Sequence, residues 1–322
     1  MKIVTTVLLL AATPTLVLAK GSQQQRVEVP VYMQNNFAFV DITVGNSAPL
    51  AMFIDTGAGG IRIHPGNISD TDVQHTGIEN RIGYADGKQG LIGEEVRGKV
   101  RMGGFTFPGI TGIQLIKHHF CKQGIDDQCK RGPEESKHGG AGTIGLGSID
   151  DQVLTKKMQK TDVLNPFLTN GKISYILNIP KDESSKGYLI IHPTQAEKAR
   201  FTRFPLSKNG KSVPVCVNQL CYTALLDSGA GGSNIPVASR REMKMLNLPN
   251  DGEHVTPGTV VPISIGSGNQ RVTVNYVAGE KGGKRVALKD TDKAHGTFGI
   301  NLFHNMDVLY DMEYGYIGFA PK

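Results

Sequence analysis

The sequence predicts an all-β protein made of two similar halves, its strands joined by tight turns and its helices few and short. Three observations carry that prediction. Glycine is abundant, 40 of 322 residues, tryptophan is absent, and long stretches of helical periodicity are scarce. An apolar run ending in Asp and a glycine-rich turn occurs twice in the same frame. The apolar runs around each copy also recur in similar order, the mark of an internal duplication. A chain of this length can build two domains with cores of their own. The expected division is residues 1–19 as a leader, 20–180 as a first lobe and 181–322 as a second.

The leader reads as a signal peptide. Lys2 supplies a short positive start, Ile3 to Leu18 is apolar or Thr-bearing, and Val17-Leu18-Ala19 resembles a small-residue cleavage site. The run is shorter than the roughly 20 residues of a membrane span, and Pro14 interrupts it. No Cys follows the cleavage site to carry a lipid. The mature chain is expected to begin near Lys20 and to be exported, periplasmic or secreted, with no stable membrane insertion. Asn67-Ile68-Ser69 matches a glycosylation sequon, which behind so short and bacterial-looking a leader is not counted.

The elements follow in order. Phe37 to Asp41 alternates and runs into Ile42-Thr43-Val44, and Pro49 opens the strand that carries Asp55. A hairpin is expected around Ile82 to Val100, with Tyr84 to Gly90 at its tip. Gly103-Gly104 turns the chain into Phe105-Thr106-Phe107. Residues 117–140, rich in charge and glycine, read as a surface loop. Gly142 to Gly147 is too glycine-rich for an ordinary strand and points to close backbone packing. Residues 151–170 can hold one or two short helices. Ile173 to Ile179 and Tyr188 to Ile191 are strands. The second half then repeats the first: a strand into Asp227, a polar middle, strands at Val260 to Ile265 and Arg271 to Val277, then Thr297-Phe298-Gly299 and the run Val308 to Phe319.

The repeated segment carries the chemistry. The first copy reads Met52-Phe53-Ile54-Asp55-Thr56-Gly57-Ala58-Gly59-Gly60, and the second reads Ala224-Leu225-Leu226-Asp227-Ser228-Gly229-Ala230-Gly231-Gly232. An isolated Asp-Ser-Gly turn occurs in any β-rich protein. Two copies, each behind an apolar strand and each near the middle of its half, deliver two carboxylates to a common point. Like charges so close cannot both ionise, so the pair shares one proton. One Asp then serves as general base on a water while the other polarises a peptide carbonyl, which is the arrangement an aspartic peptidase needs.

Other chemistries find little support. The formal charge of +6 is spread in short groups such as Lys156-Lys157 and Arg240-Arg241, with no basic stripe for nucleic acid. Gly229 to Gly232 lacks the Lys-Ser/Thr of a phosphate loop. No Gly-x-Ser-x-Gly elbow precedes a helix. His64, His118, His119, His138, His295 and His304 are scattered, and His118-His119 reads as a solvated loop pair. No paired CxxC spacing offers zinc a site. Neither a metal nor a cofactor is expected, and the partner is a polypeptide bound by a monomer. In an exported chain the four cysteines read as two disulfides. Cys216 and Cys221 flank a hairpin-sized loop, and Cys121 and Cys129 close a polar one. Local pairs are one of three connectivities, with free buried thiols as the alternative.

Over nearly its whole mature length the chain resembles the pepsin family of aspartic peptidases. Phe37 to Gly57 looks like that family's opening strands, and Tyr84 heads a segment similar to its flap. Thr143-Ile144-Gly145 and Thr297-Phe298-Gly299 resemble the segments that complete each lobe's ψ-shaped loop. Ile173 to Pro205 looks like the interlobe crossover, and Leu309-Tyr310-Asp311 with Ile317 to Pro321 resembles the family's C-terminus. The resemblance implies a two-lobed fold of double-ψ β-barrel-type lobes and a catalytic pair at Asp55 and Asp227. It implies that Thr56 and Ser228 cross-link the two loops through their hydroxyls. Gly57 and Gly229 would bring backbone N–H groups to the carboxylates. Tyr84 and Gly87 would belong to the substrate-covering flap, and Cys216–Cys221 would parallel a family disulfide.

The departures are specific. Ala58 and Ala230 stand where stomach-type members carry Ser or Thr, as in retroviral aspartic peptidases. The Trp that braces the flap Tyr is replaced by Arg62. Few residues separate Ala19 from Arg26, so no inhibitory pro-segment is expected. A second class of function stays open: a pepsin-like protein that holds a peptide or other ligand in the cleft without turnover. Such a protein would be expected to lose an Asp or a loop hydroxyl, and this chain keeps all four.

Overall fold

The structure is a computed structural model, and it describes residues 25–83, 89–121, 138–147, 161–207, 212–268, 270–280, 285–289 and 295–322. Within them the chain is built from strands, with α-helices confined to Pro166–Thr169, Gln195–Ala199, Arg240–Leu246 and Ile300–Asn305. Each of the first three starts on a residue whose side chain accepts from the helix backbone: Asn165, Thr194 and Ser239.

Two sheets hold the strands. In the larger, six antiparallel strands drawn from the start, the middle and the end of the described residues lie side by side: Thr202–Pro205, Tyr316–Pro321, Met306–Asp311, Tyr175–Asn178, Gly187–Ile191 and Val27–Gln34. Residue 180 falls between the third-last and second-last of these. From Val27–Gln34 the pairing continues through Phe37–Val44 to Leu50–Asp55, then Gly142–Leu146, Gly59–Ile63 and Thr111–Cys121. It ends in the hairpin Gln89–Gly98 and Gln74–Gly83. The second sheet runs Gln270–Val277, Val260–Ser267, Ser212–Val217, Leu220–Leu226, His295–Phe298, Ser233–Pro236, Val286–Lys289.

The internal repeat is visible in the pairing. Leu50–Asp55 runs parallel to Gly142–Leu146, with Asp55 opposite Gly145; Leu220–Leu226 runs parallel to His295–Phe298, with Leu226 opposite Phe298. Leu50–Asp55 and Leu220–Leu226 each lie between two others in their sheets; the first is a near-continuous apolar run, whereas the second alternates buried and more open positions. Phe53, Ile54, Ala224 and Leu226 are buried, and burying a side chain such as Ile54 contributes about 2 kcal/mol.

Several expectations are corrected. The glycine-rich Gly142–Leu146 is a full strand, and its glycines are there for space. A Cβ on Gly145 would lie 2.7 Å from the Ala58 carbonyl, because the strand runs hard against the turn after Asp55. Residues 117–121 are not loop but the end of Thr111–Cys121; residues 122–137 lie outside the described residues. His119 on that strand is buried, its ring parallel to that of His64 at 6.1 Å, so the solvated-pair reading fails for it while His118 stays exposed. The polar middle of the second half contains the helix Arg240–Leu246, with Leu246 buried. Of the helices expected in 151–170, the described part contains Pro166–Thr169.

Cys216 and Cys221 are joined, directly opposite each other in the hairpin that feeds Asp227, with Cα atoms 4.0 Å apart. Cys129 lies outside the described residues, as does the Cys121 side chain. A loop this small removes modest chain entropy, so Cys216→Ser with Cys221→Ser should lower the unfolding free energy by about 2 kcal/mol. Urea unfolding of the double variant tests this, and an unchanged midpoint would refute a stabilising staple. Among the described residues no helix is long and apolar enough to cross a membrane.

Candidate functional site

The two Asp-bearing turns meet. Asp55 ends its strand, Asp227 follows Leu220–Leu226, and the next residues cross-link the turns on a local two-fold pattern. Thr56 N–H donates to Ser228 Oγ at 3.0 Å, and Ser228 N–H donates to Thr56 Oγ1 at 2.9 Å. Each hydroxyl then donates to the opposite strand: Thr56 Oγ1 to the Leu226 carbonyl at 3.1 Å, Ser228 Oγ to the Ile54 carbonyl at 2.8 Å. Both hydroxyl residues are fully buried, whereas Asp55 and Asp227 are partly open to solvent. Four hydrogen bonds thereby join six buried polar groups, a network that fixes a single geometry.

The glycines leave no room for a side chain. A Cβ on Gly57 would lie 2.6 Å from Asp227 Oδ1, and one on Gly229 would lie 2.7 Å from Asp55 Cγ. Each turn thus packs its backbone against the other turn's carboxylate. Gly57 N–H and Ala58 N–H donate to Asp55 Oδ1 at 2.8 and 3.1 Å, and Gly229 N–H donates to Asp227 Oδ1 at 2.9 Å. Burial, and then the neighbouring Asp55 charge and hydrogen bond, hold the Asp227 carboxyl well above the usual carboxylate range; the Gly229 and Ala230 N–H groups pull the other way without prevailing. The Asp227 carboxyl is thus held towards its protonated form.

Residues that sequence reasoning passed over brace these turns. Asn165 is fully buried and donates to the carbonyls of Leu146 and Gly147 at 2.7 and 2.9 Å, while Gly147 N–H donates to the Ala58 carbonyl at 2.8 Å. Tyr175 Oη donates to the Leu146 carbonyl at 2.9 Å. In the second half Ser233 accepts from Gly299 N–H and donates to Asn301 Oδ1 at 2.8 Å. A signal for Asn165 was present in the Asn-Pro step that opens a helix; Ser233 and Asn301 gave none.

Tyr84 and Gly87 lie outside the described residues, which resume at Gln89; the hairpin around them is observed, with Gly83 opposite Gly90. Arg62, at the place compared with the family's Trp, is buried, its Nη1 directed at the Gly60 carbonyl. Among the described residues no three His, Cys, Asp or Glu side chains are grouped to hold a metal ion.

The sheet architecture and the paired Asp turns define the pepsin-like aspartic proteinase fold. The aspartic proteinase from Irpex lacteus superposes with a TM-score of 0.67 over 92% of this chain and 98% of that one, at 13% sequence identity. No family model and no curated protein matches the sequence.

Proposed function

We propose that the protein is an aspartic endopeptidase, exported and acting on polypeptides, with Asp55 and Asp227 as its catalytic pair. The observation that carries this reading is the mutual cross-link of the two Asp turns, which brings each turn's glycine against the other's carboxylate. Two carboxylates held this way share one proton. The ionised member takes a proton from water as it attacks the peptide carbon, and the protonated member hydrogen-bonds the carbonyl oxygen as it gains charge. Thr56 and Ser228 keep the carboxylates in register, and Gly57 and Gly229 supply N–H donors. Tyr84 and Gly87 on the hairpin would cover bound substrate. A leader at residues 1–19 and the Cys216–Cys221 bond fit an oxidising compartment outside the cytoplasm.

The test is digestion of a mixed peptide library by purified protein across a pH series, with and without a statine-type transition-state mimic. Cleavage that the mimic abolishes supports the proposal. Absence of turnover at every pH, with retained affinity for the mimic, identifies a peptide-binding protein instead.

The pH dependence is itself informative. A hydroxyl after Asp-Thr-Gly can donate to the ionised carboxylate and lower the pair's apparent pKa values; Ala58 and Ala230 offer none. With the pair already held high by burial, the working window should lie at mildly acidic to neutral pH. Ala58→Ser and Ala230→Thr should each move the basic limb of the kcat/KM profile downward. A parent optimum near pH 2, unmoved in both variants, defeats the argument.

A further inference from the structure

Thr56 Oγ1 has two of its three hydrogen-bonding positions filled: it donates to the Leu226 carbonyl and accepts from Ser228 N–H. One lone pair remains. Tyr310 lies on the central strand Met306–Asp311, opposite Tyr175, and is fully buried. The two tyrosine rings stack at 4.8 Å between centroids and 21° between planes. The Tyr175 hydroxyl is committed to the Leu146 carbonyl. The Tyr310 hydroxyl has no hydrogen-bond partner among the described residues, yet it lies beside the Thr56 side chain and within reach of the Asp227 charge. Leaving a buried donor without an acceptor is costly. Here an unused donor adjoins an acceptor with a lone pair to spare.

We propose that Tyr310 is a positioning residue for the carboxylate pair: its hydroxyl donates to the open lone pair of Thr56 Oγ1 and ties the Asp turns to the central sheet. A small shift of the two side chains, with the O–H turned to Thr56 Oγ1, completes the bond and gives a chain from Tyr310 through Thr56 to the carbonyl of Leu226, the residue before Asp227. Each donor in such a chain is strengthened by the one before it. The anchor is firm, because the next residue, Asp311, faces the other way and accepts from Ser174 Oγ at 2.8 Å and from the buried Lys198 Nζ at 2.9 Å. Burial holds the Tyr310 phenol well above its usual range; the neighbouring Thr56 hydroxyl pulls the other way without prevailing, and the Asp227 charge adds to the rise, so the phenol remains a neutral donor.

The kinetic consequence rests on the peptidase reading; the hydrogen bond does not. Tyr310→Phe removes one oxygen and keeps the ring. It should lower kcat about threefold to tenfold, with KM nearly unchanged. The basic limb of the pH profile should move upward, since looser N–H donation to the carboxylates favours the protonated pair. A packing role alone would leave that limb in place. The second measurement needs no turnover: thermal midpoints of Tyr310→Phe in the parent and in a Thr56→Val background. Pairing predicts a lower midpoint in the parent and no fall in Thr56→Val, where the hydroxyl has lost its acceptor. Equal falls in both backgrounds overturn the pairing whatever the parent's activity. Non-additive midpoints in an inactive parent support the pairing and overturn the peptidase reading. If Thr56→Val does not fold, the kinetics of Tyr310→Phe decide: parental kcat and an unmoved limb overturn the proposal, whereas the predicted changes support it.

Discussion

Asp227→Asn should lower kcat/KM on a cleavable peptide by at least about 10⁴-fold while the protein stays folded, since the proton shuttle between the carboxylates is gone. Asn matches Asp in size, and its carbonyl oxygen can still accept from Gly229 N–H, so the cross-link through Thr56 and Ser228 survives. The stability consequence has a definite sign. The folded Asp227 carboxyl is raised above its unfolded value, so the native state binds more protons than the unfolded chain above about pH 4. The stability from that proton is fully present below the unfolded value and is lost as pH rises through the folded one. Asn carries no titrating proton. The thermal midpoint of Asp227→Asn should therefore fall less than the parent's between pH 4 and neutrality. Digestion at the parent's rate by Asp227→Asn would falsify the assignment of the pair.

Gly57→Ala should cost about 10²-fold or more in kcat/KM, the scale of a displacement near 1 Å at a reacting group. The added methyl would sit 2.6 Å from Asp227 Oδ1 and 2.7 Å from Oδ2, far inside van der Waals contact. The carboxylate cannot simply swing aside, because Gly229 N–H holds its Oδ1 at 2.9 Å. Relief must come from parting the two turns, which stretches the Thr56–Ser228 bonds. Both activity and thermal midpoint should drop, in contrast to Asp227→Asn, which loses activity alone. A glycine at 231, where an added Cβ meets nothing within 4 Å, is the control, and Gly231→Ala should behave as the parent. If Gly57→Ala matched that control in rate, the tight approach of the turns would be refuted.

Much of this was legible in the chain because short-range pattern and chemistry agreed. An apolar run such as Met52-Phe53-Ile54 ending in Asp-Thr-Gly has few conformations open to it: a covered strand, then a turn. Its repetition at Leu225-Leu226-Asp227 made two such turns the parsimonious core of the molecule. The hairpin around Cys216 and Cys221 was legible from the same local logic, but the spacing left three connectivities open, and only the opposed placement of the two residues selects this bond. Residues whose role depends on distant neighbours were not legible. His119 looked solvated beside Lys117 and His118, and only its place on a strand whose pairing shifts register between Ile116 and His118 buries it against His64. The strand Gly142–Leu146 looked unlike a strand because its glycines serve a backbone arriving from residues 58 to 63.

The sequence by itself determined that the protein is all-β and doubled, that each half presents one Asp on a glycine turn, and that hydroxyls follow both. These are properties of periods and neighbours along the chain, settled within a few residues. Tertiary structure alone decided that Thr56 and Ser228 exchange hydrogen bonds, that Asn165 and Ser233 hold the turns from behind, and that Tyr310 comes to lie beside Thr56. Those contacts join groups far apart in the chain. They exist because two separately patterned halves close against one central sheet, and burial then leaves each polar atom to find its partner among whatever the closure brings near.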